Sequence, residues 1–171
     1  MKRILLLALA LAMLTVTALA EGSASSYPFG SFALTVPEDV TVEEYDTTIT
    51  VVRGQTRVVV QVIPQELEED GQEQVRGLMP VYSADISDVT DVTLVSGVYG
   101  AMGLIEDHFG EGIHEVPMLI LTEEELLILS GYDFDGDTLA VHTLLTELLS
   151  GVTLAGEPIL PAAAAEETND D

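Results

Sequence analysis

The stretch PMLILTEEELLILSGYDFDGDTLAVHTLLTELLSG, residues 117–151, decides the fold of this chain. Two apolar runs, 117–121 and 125–132, flank the polar turn at 122–124, which is the pattern of a β-hairpin. Between 139 and 152, apolar residues recur at helical spacing and form one stripe, which predicts an amphipathic helix. Strands joined by a short turn run antiparallel, and the apolar stripe of a helix has to pack on a face of their sheet.

The sequence before residue 117 contains further patterns of strands and one helix. Two β-branched runs at 48–52 and 57–63 flank a Gly-containing turn and predict a second hairpin. An alternating strand is predicted at 32–36, and 92–108 predicts two more strands around a turn. Apolar residues among Gln and Glu predict a first helix, clearest over 72–79. The predicted fold class is α+β, an antiparallel β-sheet of about six to seven strands packed by two helices.

The N-terminal segment has the composition of a secretory signal peptide. Lys2 and Arg3 precede an apolar run and the small-x-small sequence Ala18-Leu19-Ala20. The run is shorter than the ~20 residues that a membrane span needs, so we expect cleavage and no stable membrane span. The predicted location is secreted or extracytoplasmic. The expected organisation is a signal peptide at 1–20, a linker at 21–28, a single α+β domain at 29–154 and a disordered acidic tail at 155–171.

The charge balance limits the partners. The formal net charge is −25, and Arg53, Arg57 and Arg76 are the only Lys or Arg residues beyond residue 20. Nucleic acid is excluded as a partner, because its binding depends on Lys and Arg that neutralise phosphate. The remaining partners are an unknown protein or a cationic ligand. The chain has no Cys, so it folds without disulfides, which a domain of this size can do.

The segment DFDGDT, 133–138, is the most suggestive motif. Asp133, Asp135 and Asp137 match the first three carboxylate positions of an EF-hand-like calcium loop, but Gly136 comes two places early and position 12 is Leu144. A β-turn that also caps the last helix, with Asp137 as the N-cap, explains the same residues. The sequence favours the turn and leaves a weak calcium site open.

Motifs for catalysis are scarce. His108, Glu111 and His114 are close in sequence, but their spacing matches no metalloprotease motif, and a solvated acidic loop is the favoured interpretation. No Ser lies in a nucleophile elbow. Dispersed carboxylates leave a secreted hydrolase open as an alternative, since acids are abundant.

Two segments resemble PsbP-like domains. FGSFALTVPEDV at 29–40 resembles the opening strand and Pro turn of that family, and LLILSGYDFDGDTLAVHTLLTELL at 126–149 is similar to its closing hairpin and helix. The resemblance covers 29–154 and implies an α/β/α sandwich with an antiparallel sheet and a non-enzymatic role. The usual Gly-Trp after the first Pro is absent, because the chain has no Trp, and no functional residue carries over.

Together these observations predict an exported small acidic protein that acts as a non-catalytic binding or accessory module. One alternative is a weak calcium- or cation-binding protein that uses the Asp133–Asp137 loop. The other alternative is the hydrolase with dispersed carboxylates.

Overall fold

The computed structural model describes residues 25–68, 70–110 and 112–162, so the predicted signal peptide at 1–20 lies outside the described residues. Within these ranges the chain forms eleven strands and two helices. In chain order they are β1 (Ser26–Phe29), β2 (Phe32–Thr35), β3 (Thr41–Tyr45), β4 (Thr48–Arg53), β5 (Thr56–Pro64), α1 (Gly71–Tyr82), β6 (Ile86–Val92), β7 (Tyr99–Ile105), β8 (Glu115–Leu121), β9 (Glu125–Asp133), α2 (Thr138–Ser150), β10 (Val152–Leu154) and β11 (Glu157–Pro158).

The strands form two antiparallel sheets. The larger sheet has seven strands in the order β3-β4-β5-β9-β8-β7-β6, and the smaller has four in the order β1-β2-β10-β11. The predicted α+β class, with antiparallel strands and two helices, is confirmed. The smaller sheet is an addition that the sequence patterns did not predict.

The two predicted hairpins form the middle of the larger sheet. β4 pairs with β5 down to Arg53 opposite Thr56, and β8 pairs with β9 down to Leu121 opposite Leu126, so both turns lie where the sequence places them. A long β5–β9 ladder then joins the two hairpins. This ladder aligns the second strand of one hairpin with the second strand of the other.

The helices pack on opposite faces of the larger sheet. Successive residues of a strand point to opposite faces, and alternate residues of β8 and β9 belong to different apolar clusters. All seven residues of β8 are buried as a result. The cluster under α2 includes Val58, Val60, Leu127, Leu129, Val141, Leu144, Leu145, Leu148 and Leu149, and the cluster under α1 includes Val75, Met79, Leu119, Leu121, Leu126 and Ile128.

Both helices begin at an Asp cap. Asp70 accepts a hydrogen bond from the Glu73 amide, and Asp137 accepts one from the Ala140 amide, each at 3.0 Å. The predicted cap at Asp137 is therefore confirmed. Within the described residues, no helix has the length and apolar composition needed to cross a lipid bilayer.

The smaller sheet corrects the expected domain boundaries. Residues 26–28 of the expected linker form most of β1, and residues 157–158 of the expected tail form β11. Ile159 is fully buried in the larger apolar cluster. The boundaries at 29 and 154 were too narrow, because strand pairing and this buried Ile hold both flanks on the domain.

Candidate binding surface

Part of the larger sheet has one face that neither helix of the described residues covers. α2 packs on β5, β8 and β9 from one side, whereas α1, on the other side, contacts β6, β7 and β8. On the side of the sheet where α1 packs, the side chains of β3, β4 and β5 therefore lie outside the area that this helix covers. We call this surface the open face; it comprises Glu43, Tyr45, Thr48, Thr50, Val52, Arg57, Val59, Gln61 and Tyr132, which are all half-exposed.

A row of aromatic rings borders the open face. The rings of Phe109 and Tyr132 lie 4.8 Å apart, and those of Tyr132 and Phe134 lie 5.4 Å apart in an edge-on arrangement. The guanidinium of Arg57 lies 5.5 Å from the centre of the Phe134 ring, within the range of a cation–π contact. Phe109 and Phe134 are each 48% exposed. This row presents apolar area to solvent in an arrangement that is already ordered.

A buried carboxylate lies beside the row. Glu115, the first residue of β8, is only 3% exposed. Its Oε1 accepts hydrogen bonds from the hydroxyls of Tyr82 and Ser130, each at 2.5 Å, and its Oε2 lies 3.0 Å from Nδ1 of His108. Glu115 thus connects the end of α1, strand β9 and the loop that carries Phe109. The buried charge is stabilised because polar groups from three elements converge on it.

The Glu115 carboxylate joins a serine and a histidine. Ser130 and His108 both bond to the same carboxylate, and no hydrogen bond of the described residues joins one to the other. A hydrolase of the Ser–His type needs that direct contact between nucleophile and base. Ser130 and His108 lack that contact here, and the alternative of a hydrolase with dispersed carboxylates stays a prediction.

The tyrosines of the surface remain neutral donors. Burial, and then the charge of Glu115, raises the pKa of Tyr82 far above its ordinary value. Burial also raises the pKa of Tyr132, and burial together with the hydrogen bond to Glu43 raises that of Tyr45. At neutral pH their hydroxyls carry protons, so this part of the surface offers neutral aromatic and hydroxyl groups.

Of the predicted calcium residues, Asp133 ends β9, whereas Asp135 and Asp137 lie in the turn before α2. Asp133 Oδ1 accepts from the amides of Asp135, at 2.8 Å, and Asp137, at 3.2 Å, while Oδ2 accepts from the Thr56 hydroxyl at 2.7 Å. Burial raises the pKa of Asp133, but these bonds lower it more, and the net shift is downward. The loop is thus organised by hydrogen bonds of its own, and calcium binding by Asp133, Asp135 and Asp137 stays a prediction.

The histidine segment is only partly brought together. His108 reaches Glu115, whereas Nδ1 of His114 accepts from the amide of Asp107 at 3.1 Å. In the part of the chain that the structure describes, no group of three or more His, Asp or Glu residues is arranged to hold a metal ion. The His108–Glu115 contact is the part of this segment that contributes to the candidate surface.

A shallow groove of about 530 Å³ lies on the other side of the β3–β4 hairpin. Tyr27 and Phe29 of β1 line it together with the carboxylates of Glu44, Asp46 and Glu125, and no described residue of its lining is a Lys or Arg. Glu125 is already engaged, because its Oε2 accepts from the amide and hydroxyl of Ser31. The groove thus combines aromatic and acidic groups, which suits a cationic side chain.

Comparison with known proteins gives a likeness of fold alone. No protein-family model matches the chain, and no curated protein matches its sequence. A crystal structure from Bacteroides thetaiotaomicron VPI-5482 at 1.50 Å resolution is similar, with a TM-score of 0.50 and 12% sequence identity. The match covers 79% of this chain and 49% of the other, so this chain spans about half of that protein's length.

Sequence reasoning missed the Glu115 network for a physical reason. Its members come from α1, β9 and the loop after β7, which are distant in sequence and meet only in the folded sheet. One signal was present: a Glu directly precedes the apolar run at 116–121. A charged residue at the start of a fully buried strand requires partners.

Proposed function

We propose that the protein is a non-catalytic binding or accessory module that binds a partner protein through the open face and its aromatic row. The observation that carries the proposal is the ordered row of Phe109, Tyr132 and Phe134 beside a sheet face that α1 leaves uncovered. Aromatic residues and Arg are enriched where proteins bind one another, and Arg57 lies over the end of this row.

The network beneath the surface supports the same interpretation. Glu115 fixes the loop that carries Phe109 through its contact with His108, and it fixes β9 through Ser130. A surface that is rigid before binding loses less conformational entropy on binding. The residues around Glu115 therefore serve as positioning residues for the aromatic row.

The charge of the chain supports a partner with a basic surface. A net charge of −25 gives the molecule a negative field, which accelerates encounter with a positively charged protein and opposes self-association. We propose an exported location, secreted or extracytoplasmic, from the sequence pattern of residues 1–20. The proposal of a PsbP-like domain is supported by an antiparallel sheet with one helix on each face.

A binding experiment with matched variants tests the proposed function. The purified protein is used as bait in the extracytoplasmic fraction of its source organism, and each captured protein is then purified and titrated. We expect Phe109→Ala/Phe134→Ala to weaken the binding of the partner at least about tenfold, because truncating exposed aromatic anchors removes most of their binding energy.

The control is Val81→Ala/Leu139→Ala, which truncates two apolar residues that are 78% and 76% exposed and lie outside the open face. This variant should bind as the wild type does. Urea unfolding of both variants verifies that they are folded. Equal affinity of the partner for the aromatic variant and the wild type contradicts the proposal, as does the absence of any captured protein.

A further inference from the structure

Among the described residues, the larger sheet ends in one strand whose outer edge is free. β3 lies at the end of the seven-stranded order and, within the part of the chain that the structure describes, pairs only with β4, from Thr41 opposite Val52 to Tyr45 opposite Thr48. In an antiparallel ladder, alternate residues of an edge strand direct their N–H and C=O groups away from the sheet. Such an edge is a template on which another polypeptide can add a strand.

The other three sheet edges of the described residues are blocked. β1 contains Pro28 and β11 contains Pro158, and a proline cannot donate to a ladder. β6 has a register shift between Ser87 and Thr90, with Asp88 at a φ of 50°. A bulge of this kind interrupts the pairing of an edge. β3 has neither a proline nor a register shift.

The side chains of β3 select the charge of an added strand. Glu43 belongs to the open face, whereas Glu44 points to the opposite side and lines the acidic groove with Asp46. A second copy of this chain would bring two strands of sequence TVEEY together, with the Glu43 and Glu44 carboxylates of both copies close to one another, and like charges destabilise a strand pair. A basic segment would place opposite charges there.

We propose that an extended basic segment of the partner protein adds to β3 as an eighth strand of the larger sheet. Its alternate side chains would lie over the open face and in the groove of about 530 Å³, where Tyr27, Phe29 and Glu44 accommodate a Lys or Arg. The inference rests on the proposed function, since it names the partner segment that reaches the open face from its edge.

A synthetic peptide tests the proposal. The probe is an acetylated and amidated heptapeptide of alternating Lys and Val, and the comparison peptide carries Glu in place of each Lys. We expect the lysine peptide to bind and to slow the exchange of the outward-directed, alternate backbone amides of Thr41–Tyr45, which loose electrostatic association does not do. We expect the glutamate peptide not to bind.

Two controls separate strand addition from charge attraction. Two further lysine peptides are N-methylated at every second residue, one in each phase, so that at least one of them loses the N–H groups directed at β3. That peptide should bind at least about tenfold more weakly, because it retains its charge but cannot form the ladder. Equal binding of both methylated peptides and the parent would overturn the proposal.

The protein variants locate the edge. Glu43→Lys/Glu44→Lys should weaken binding of the lysine peptide at least about tenfold and allow the glutamate peptide to bind. The control Asp85→Lys/Glu106→Lys makes the same change in net charge beside Ile86 and Ile105, at the opposite edge of the sheet, and should reduce binding less. Equal loss in the two variants contradicts docking at β3.

The peptide result and the partner result can fail separately. If the peptide adds to β3 while the aromatic variant Phe109→Ala/Phe134→Ala binds the partner normally, strand addition stands and the proposed open-face function is wrong. If that variant loses the partner while neither methylated peptide is weakened, the open face stands and strand addition at β3 is wrong.

Discussion

The hydroxyl of Tyr82, the last residue of α1, donates a hydrogen bond of 2.5 Å to Oε1 of Glu115, the first residue of β8. This contact attaches the end of a helix to the sheet at the point where the helix stops covering it. Because Glu115 also accepts from Ser130 and contacts His108, the same carboxylate holds the boundary between the covered and the open parts of the sheet.

Removing the Tyr82 hydroxyl should destabilise the fold. We expect Tyr82→Phe to lower the free energy of unfolding by about 1–2 kcal/mol, because a buried carboxylate loses one of its donors. Urea unfolding at pH 7 measures the change. The control is Tyr99→Phe, since the hydroxyl of Tyr99 has no hydrogen bond in the described part of the chain. Losses of equal size in the two variants contradict the role assigned to the Tyr82–Glu115 bond.

Asp133 should make the stability depend on pH. Its folded pKa is lowered despite burial by the bonds from Thr56, Asp137 and Asp135, so its stabilisation is complete above the ordinary pKa and is lost as the pH falls through the lowered value. We expect Asp133→Asn to lower the free energy of unfolding by about 1–2 kcal/mol at pH 7. The difference in unfolding free energy between this variant and the wild type should become smaller below about pH 4. Urea midpoints between pH 2 and 7 measure it.

The control for this pH dependence is Asp135→Asn, at an exposed neighbour whose carboxylate makes no hydrogen bond among the described residues. It should leave the midpoints near those of the wild type across the range. If the urea midpoints of Asp133→Asn and the wild type differ as much at pH 2 as at pH 7, the charge of the Asp133 carboxylate does not contribute to stability.

Gly151 should tolerate no side chain. A Cβ at this position would lie 2.1 Å from the backbone oxygen of Thr35, so β2 would have to move away from the end of α2. We expect Gly151→Ala to cost about 1–3 kcal/mol, the usual range for overpacking. Gly77→Ala, in α1 with open space around it, should instead stabilise by about 0.5–1 kcal/mol. Thermal unfolding compares the two, and a stabilised Gly151→Ala would contradict the close approach.

Calorimetry tests the calcium prediction for Asp133, Asp135 and Asp137. We expect a weak site that gives binding heat only at millimolar calcium, because the carboxylate of Asp133 already accepts three hydrogen bonds. Asp135→Asn should remove the heat, since it neutralises the carboxylate that is free of such bonds. The absence of heat from the wild type at millimolar calcium would contradict the prediction.

The central strands and the last helix could be predicted because their burial follows a simple period. The sequences of β5 and β9 are largely apolar, and α2 has a wide stripe of apolar residues on one side. The edge strand β3 was missed, and the first of the two strands predicted over 92–108 was placed too late, since β6 ends at Val92 and residues 93–98 form no strand. The sequences of β3 and β6, TVEEY and ISDVTDV, are dominated by polar residues. A strand that borders solvent on its edge has little apolar pattern to detect.

The candidate surface could be predicted only in fragments. The sequence singles out His108 and Asp133, which lie next to Phe109 and Phe134 in the chain. It does not predict that Phe109 and Phe134 belong to one surface. The ring of Tyr132 lies between the rings of Phe109 and Phe134 and contacts both. Tyr132 takes this place because it pairs with Glu115 across β8 and β9. Contacts of this kind depend on strand register, which distant segments establish together.

The smaller sheet has a consequence for how the chain folds. Ala33 of β2 pairs with Thr153 of β10, so one ladder joins the two ends of the domain. Contacts between residues so distant in sequence carry a large entropic cost of loop closure and form late in folding. A chain still emerging from the ribosome cannot complete this sheet until β10 and β11 have been synthesised. A chain truncated before β10 would instead leave the side of β2 that pairs with β10 without its partner strand.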